Sequence, residues 1–355
     1  MHGSPRRAPC RPWRTSRARP RRPSSDAPYS GGAAFVLIYL ACVALVGLPI
    51  LVAEWLIGRR GQENPINAMA DLARRNGRLP AWALVGASGV LAAFLILSFY
   101  SVIGGWSLSY TLSSVTGAFS GQDADAIGAL FGGLLGSPVT LSLCMGIMMA
   151  YGSYLGEEVN LISTARTVII LDTAIALLAG MAIFPIVFAN GMSPGEGPGL
   201  IFVSLPVAFG NMTGGTILGL MFFLLLTFAA LTLAISLLEP VVELVEERTP
   251  LSRVTATLVG GVAVWALGIA ALMSFNVWEG FLIFGLNIFD LLDTFTSKVL
   301  LPLTGLGAIL FVAWCLERKS VADELNLGGG REQLWHLVAR YVAPIGVIVV
   351  FVTGL

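Results

Sequence analysis

Residues 31–61 read GGAAFVLIYLACVALVGLPILVAEWLIGRRG. From Ala33 to Ile57 this stretch carries one charged side chain, Glu54. A run of that length exceeds the roughly 20 apolar residues that cross a hydrocarbon core. It ends in Arg59 and Arg60, the kind of basic flank that stays on the cytoplasmic side of a membrane. Seven further apolar stretches follow, near 81–116, 127–155, 167–188, 214–238, 254–275, 290–315 and 339–355, the first span lying near 34–57. The pattern predicts an all-α, polytopic membrane bundle of about eight spans, embedded in the lipid bilayer of the plasma membrane.

Composition agrees. Of 355 residues 56% are hydrophobic and 12% are charged, with 41 glycines and a mean hydropathy of +0.82. The charged share is about half that of an ordinary soluble domain. Acidic and basic totals cancel at 21 each, yet residues 1–30 hold eight Arg and six Pro against one acid, Asp26. That divides the chain into an Arg/Pro-rich tail, 1–30, expected to be irregular because it offers no core-forming face, and a membrane domain, 31–355. The six prolines argue against the amphipathic helix of a transit peptide. A nucleic-acid role is not expected.

Basic residues in the loops orient the domain. The first loop has Arg59, Arg60, Arg74, Arg75 and Arg78, the third Arg166, the fifth Arg248 and Arg253, the seventh Arg318, Lys319, Arg331 and Arg340. The even-numbered loops have none, which places the odd ones in the cytoplasm. Chemistry is narrowed as firmly. Two histidines and four cysteines without a CxxC spacing leave no zinc site or disulfide framework. The GASG at 86–89 superficially matches an intramembrane serine protease, but His336 lies in a polar stretch before the last span and supplies no base. The chain is not expected to be an enzyme.

The 31–61 stretch resembles the second membrane helix and first cytoplasmic loop of the neurotransmitter:sodium symporter family. LSLCMGIMMAYGSYL (141–155) is similar to that family's sixth helix, GPGLIFVSLPVAFGNMTGG (197–215) to the loop before its eighth, and FDLLDTF (289–295) to the start of its tenth. The resemblance implies an incomplete inverted-repeat fold: helix one is missing, and GALFGGLLGSPVT (128–140) runs straight into helix six, so helices four and five are missing too. Loss of two spans keeps the alternation of basic loops intact.

The resemblance also implies a site. Its substrate would be an amino acid or related amine, coupled to sodium ions. Ile96, Tyr100, Ser142 and Met145 match substrate-lining positions. Tyr100 is alternatively a phenol bonded to a neighbouring carbonyl, and Met145 alternatively core filler. Thr140 and Asp172 match ligands of the first sodium ion. Thr140 and Ser142 also read as a small-residue packing seam, and Asp172 as a protonated acid bonded within the bundle. The Ala229 carbonyl and Thr232 hydroxyl match the second sodium site, but Leu233 stands where the family has a hydroxyl, so that site is expected to be absent. Glu54 matches a supporting acid and Asp293 an outer-gate carboxylate, with Lys298 as a neighbouring cation. Glu239, Glu243, Glu246 and Glu247 read as a solvated helix end. The implied function is that of a sodium-dependent symporter, defective in this polypeptide; the alternative is an inert membrane fragment of the same ancestry. Tyr100, Ser142, Met145 and Asp172 are expected to share one cavity.

Overall fold

A computed structural model describes residues 31–136, 161–189, 198–325 and 329–354. Among them the only extended pairing is an isolated bridge between Ile283 and Leu286; everything regular is helical. In chain order we name α1 (Val36–Gly61), α2 (Pro65–Arg75), α3 (Pro80–Val115), α4 (Ala124–Leu135), α5 (Leu161–Ala189), α6 (Leu200–Asn211), α7 (Gly215–Arg248), α8 (Arg253–Met273), α9 (Ile288–Trp314), α10 (Arg318–Leu325) and α11 (Glu332–Thr353). Six of these, α1, α3, α7, α8, α9 and α11, are long and apolar enough to cross a membrane. They coincide with six of the eight spans read from the sequence. The stretch near 127–155 is represented by α4, which stops at its C-cap Gly136, and the rest lies outside the described residues. The stretch near 167–188 falls within the 29-residue α5. The tail 1–30 also lies outside the described residues.

Local chemistry sets the helix boundaries. Asn64 caps α2 by accepting from the amides of Ile66 and Asn67, with Pro65 at the first helical position. Asp123, Ser252 and Asn287 cap α4, α8 and α9 in the same way. Four helices contain a wide π turn, at Val43–Gly47, Leu200–Ser204, Thr296–Leu300 and Val338–Val342. In each, the second residue after the turn is a proline: Pro49, Pro206, Pro302 and Pro344. The proline ring clashes with the carbonyl four residues back and offers no N–H, so the preceding amide reaches a carbonyl five back instead, as Leu48 does to Val43.

α3 is the axis of the bundle and packs on α2, α7, α8 and α9. Its small residues permit this. A Cβ on Gly86 would fall 2.2 Å from the Pro65 carbonyl oxygen, so only glycine lets α2 start where it does. Buried Ser98, Ser107, Thr111 and Ser114 bond back to carbonyls of their own helix, which satisfies them without partners elsewhere. Thr111 also meets Thr227 of α7 at 3.1 Å.

Contacts at the two ends of the bundle agree with the alternation for four of the loops. Arg59 and Arg60 face Glu324 at 3.5 and 3.6 Å, and Arg78 donates to the Trp314 carbonyl, so the first and seventh basic loops share one end. At the other end the Gly121 amide donates to the Gly210 carbonyl, joining two loops without basic residues.

Candidate functional site

A cavity of about 570 Å³ opens at the end of the bundle where the basic loops gather. α1 contributes Glu54, Ile57 and Gly58; the turn into α2 contributes Gln62, Glu63 and Pro65. α3 lines it with Gly86, Gly89 and Ile96, α7 with Leu237 and Glu243, and α9 with Leu301 and Thr304. Ser88 of α3, between the lining residues Gly86 and Gly89, meets Thr304 of α9 at 2.9 Å. Glu54 is exposed to this space, although it sits in the middle of an apolar run. A carboxylate at that depth is tolerable only where water or a counter-charge reaches it.

The carboxylates in and beside this cavity divide by partner. Glu239 and Glu246 pair with Arg253. Glu247 accepts the Asn64 amide at 3.0 Å, the Asn67 amide nitrogen at 2.7 Å, and the Asn64 side chain. Glu54, Glu63 and Glu243 form no ion pair among the described residues. The end of α7 is therefore not simply a solvated acidic terminus: Glu247 holds the N-terminus of α2, where an anion is favoured. Nothing in the spacing of Asn64 and Glu247, 183 residues apart, signals that contact.

Of the residues singled out from the sequence, the structure brings Glu54 and Ile96 into this one cavity. Tyr100 follows one turn along α3, half-buried. Asp172 is exposed on α5, beside exposed Leu171 and Ile175. Ala229 and Thr232 are exposed on α7, and neither they nor Asp172 lines the cavity. Asp293 is exposed on α9 and accepts from Ser297 at 3.1 Å; among the described residues it makes no ion pair with Lys298. Thr140, Ser142 and Met145 lie outside the described residues.

At Leu233, α7 offers no side-chain oxygen to a sodium ion. The Thr232 hydroxyl is turned onto the Phe228 carbonyl of its own helix at 3.0 Å, and the next side chain is the aliphatic Leu233. Na⁺ leaves water only for a cage of oxygens, and a CH₃ group supplies none. Among the described residues no group of three or more His, Cys, Asp or Glu side chains gathers to hold a metal.

A bundle of long apolar helices, with basic loops gathered at one end and a half-polar cavity opening beside them, is an integral, multi-pass membrane protein. The chain belongs to the sodium:neurotransmitter symporter family, which matches residues 27–126 and 138–355. This is a family of transporters, not of enzymes. An uncharacterized sodium-dependent transporter of Bacillus subtilis, YhdH, is 29% identical over 408 residues, covering 91% of this chain and 90% of its own. One from Haemophilus influenzae is 28% identical over 416 residues, covering 92% and 91%. The crystal structure of MhsT in complex with L-phenylalanine superposes with a TM-score of 0.83 at 32% identity, covering 92% of each chain. The comparison with YhdH spans 408 positions, 53 more than the 355 residues available here, so at least that many positions have no counterpart in this chain. The family match itself breaks between 126 and 138, the stretch where the sequence reading joins helix three to helix six.

Proposed function

We propose that this chain is an amino-acid or amine carrier of its family whose sodium-driven cycle is broken. Leu233 carries the reading: at the position that matches a sodium-coordinating hydroxyl, the side chain is aliphatic and supplies no oxygen. The substrate class rests on Ile96 and Tyr100 at matching positions and on the L-phenylalanine held by MhsT. The absence of helices four and five is supported by the break in the family match and by the surplus positions in the relatives. Alternating access in this fold rocks helices from both repeats against one another, so losing two spans from one repeat stalls it. In the same reading Asp172 and Thr140 are what remains of the first sodium site, Ser142 and Met145 of the substrate pocket, and Asp293 of the outer gate.

The test is uptake of a labelled amino-acid panel that includes L-phenylalanine into proteoliposomes, with an inward Na⁺ gradient against K⁺. Equal uptake in both is expected. Loss of several oxygen ligands exceeds 1.4 kcal/mol several times over, and each such step is about tenfold in affinity. Sodium-driven accumulation abolished by Asp172→Ala would refute the defect. Binding of an amino acid without transport separates a stalled carrier from an inert fragment, which would bind none.

A further inference from the structure

We propose that the cytoplasmic corner formed by Arg78, Arg340, Trp314 and Tyr341 is a binding site for the phosphate headgroup of an anionic phospholipid. Trp314 ends α9, and two guanidinium groups converge on it from opposite sides of the sequence. Arg78, in the loop between α2 and α3, donates to its main-chain carbonyl at 3.3 Å. Arg340, in the wide turn of α11, lies over its indole ring at 4.1 Å from the centroid, and 5.8 Å from the ring of Tyr341. Neither arginine has a carboxylate partner among the described residues, whereas Arg59, Arg60, Arg74, Arg253 and Arg318 all do.

The corner is thus rich in donors and short of acceptors. Among the described residues the buried Nε–H of Arg340 has no hydrogen-bond partner, and a guanidinium can only donate. Arg78 uses one N–H on the last turn of α9, a position that favours a cation, and keeps the others free. A phosphate diester supplies what is missing: acceptor oxygens on a planar fork of N–H groups, and negative charge between two cations.

A membrane lipid is the source that fits the place. Trp314 and Tyr341 are about half exposed at the end of the spans, where amphipathic rings sit at headgroup level. Leu79 and Leu84, beside Arg78 at the start of α3, are 77% and 72% exposed and offer acyl chains an apolar surface. Basic clusters on the cytoplasmic side attract anionic lipid for the same electrostatic reason.

The experiment is lipid titration of the full chain in detergent, read by native mass spectrometry, with phosphatidylglycerol and phosphatidylcholine in parallel. Phosphatidylglycerol is expected to bind more tightly, and Arg78→Gln and Arg340→Gln each to weaken it about fivefold, while Arg248→Gln at another cytoplasmic helix end changes nothing. Equal binding of the two lipids, or unchanged binding in Arg78→Gln and Arg340→Gln, overturns the site. Displacement of the lipid by millimolar inorganic phosphate overturns the lipid as its source. Arg78 is exposed and outside the spans, so Arg78→Gln decides the matter alone if Arg340→Gln does not fold.

Discussion

The two ends of the bundle are built on opposite plans. The outer half is closed by aromatics: Trp106 and Tyr110 of α3 are buried against Phe131, Phe202, Phe223 and Phe289, with neighbouring ring centroids 5.2 to 6.3 Å apart. The cytoplasmic half is held by polar clasps, Asn64 to Glu247, Ser88 to Thr304 and Arg59 to Glu324, around a cavity of about 570 Å³. Dense rings resist displacement because each has many close neighbours. Where such clasps face water, as at the half-exposed Arg59, they exchange partners at small net cost. The same α3 belongs to both halves, so the contrast lies in what surrounds it: rings at one end, glycines and carboxylates at the other.

The largest effect should come from breaking the outer seal. Trp106→Ala, at 1% exposure, is expected to cost about 3–5 kcal/mol of stability, read as a lowered thermal midpoint in detergent. If the cost is under 1 kcal/mol, the ring cluster is not what holds that half.

Gly86→Ala comes next. Its Cβ would meet backbone, the Pro65 carbonyl, and α2 would have to move; about 1–3 kcal/mol is expected. Faster hydrogen exchange confined to Pro65–Arg75 would show the displacement, and unchanged exchange there would show that α2 does not rest on that glycine.

Glu247→Ala leaves the fully buried Asn64 donors without an acceptor, for about 1–3 kcal/mol. Amides of α2 should again exchange faster, whereas Glu247→Gln, which still accepts, should show a smaller change. Equal effects of the two substitutions would mean that charge, not hydrogen bonding, makes the clasp.

The smallest effect on stability but the clearest on access is expected from single cysteines in a background without other thiols. Thr304→Cys lines the cavity and should react with a water-soluble maleimide at least about tenfold faster than Phe202→Cys, which replaces a ring 1% exposed. Similar rates would erase the distinction between a sealed half and an open one.

How much of this was legible beforehand follows from the range of each interaction. The spans and their orientation rest on runs of adjacent residues, and α1, α3, α7, α8, α9 and α11 coincide with them. Asn64 could be read as a helix cap from Pro65 alone. Its grip on Glu247 could not, because that contact joins residues 183 apart and depends on how far α3 lets the two helices approach. Glu54 stands out in the sequence as an acid in an apolar run; the cavity it lines is completed by α3, α7 and α9, which the run itself does not specify. Asp172 stands out for the same reason, yet its helix leaves it exposed, because a lone acid specifies its own cost and not its neighbours.

The four wide turns ahead of Pro49, Pro206, Pro302 and Pro344 carry a mechanical consequence. In an uninterrupted stretch, flexing a membrane helix means stretching a complete ladder of hydrogen bonds in a medium that offers no replacement. At these four points a rung is already gone, and the bond-breaking part of the work was done when the chain folded. Pro185 inside α5 and Pro240 inside α7 each remove a rung as well. Compliance is therefore concentrated at the proline levels of the described helices, and a large shape change should bend them there.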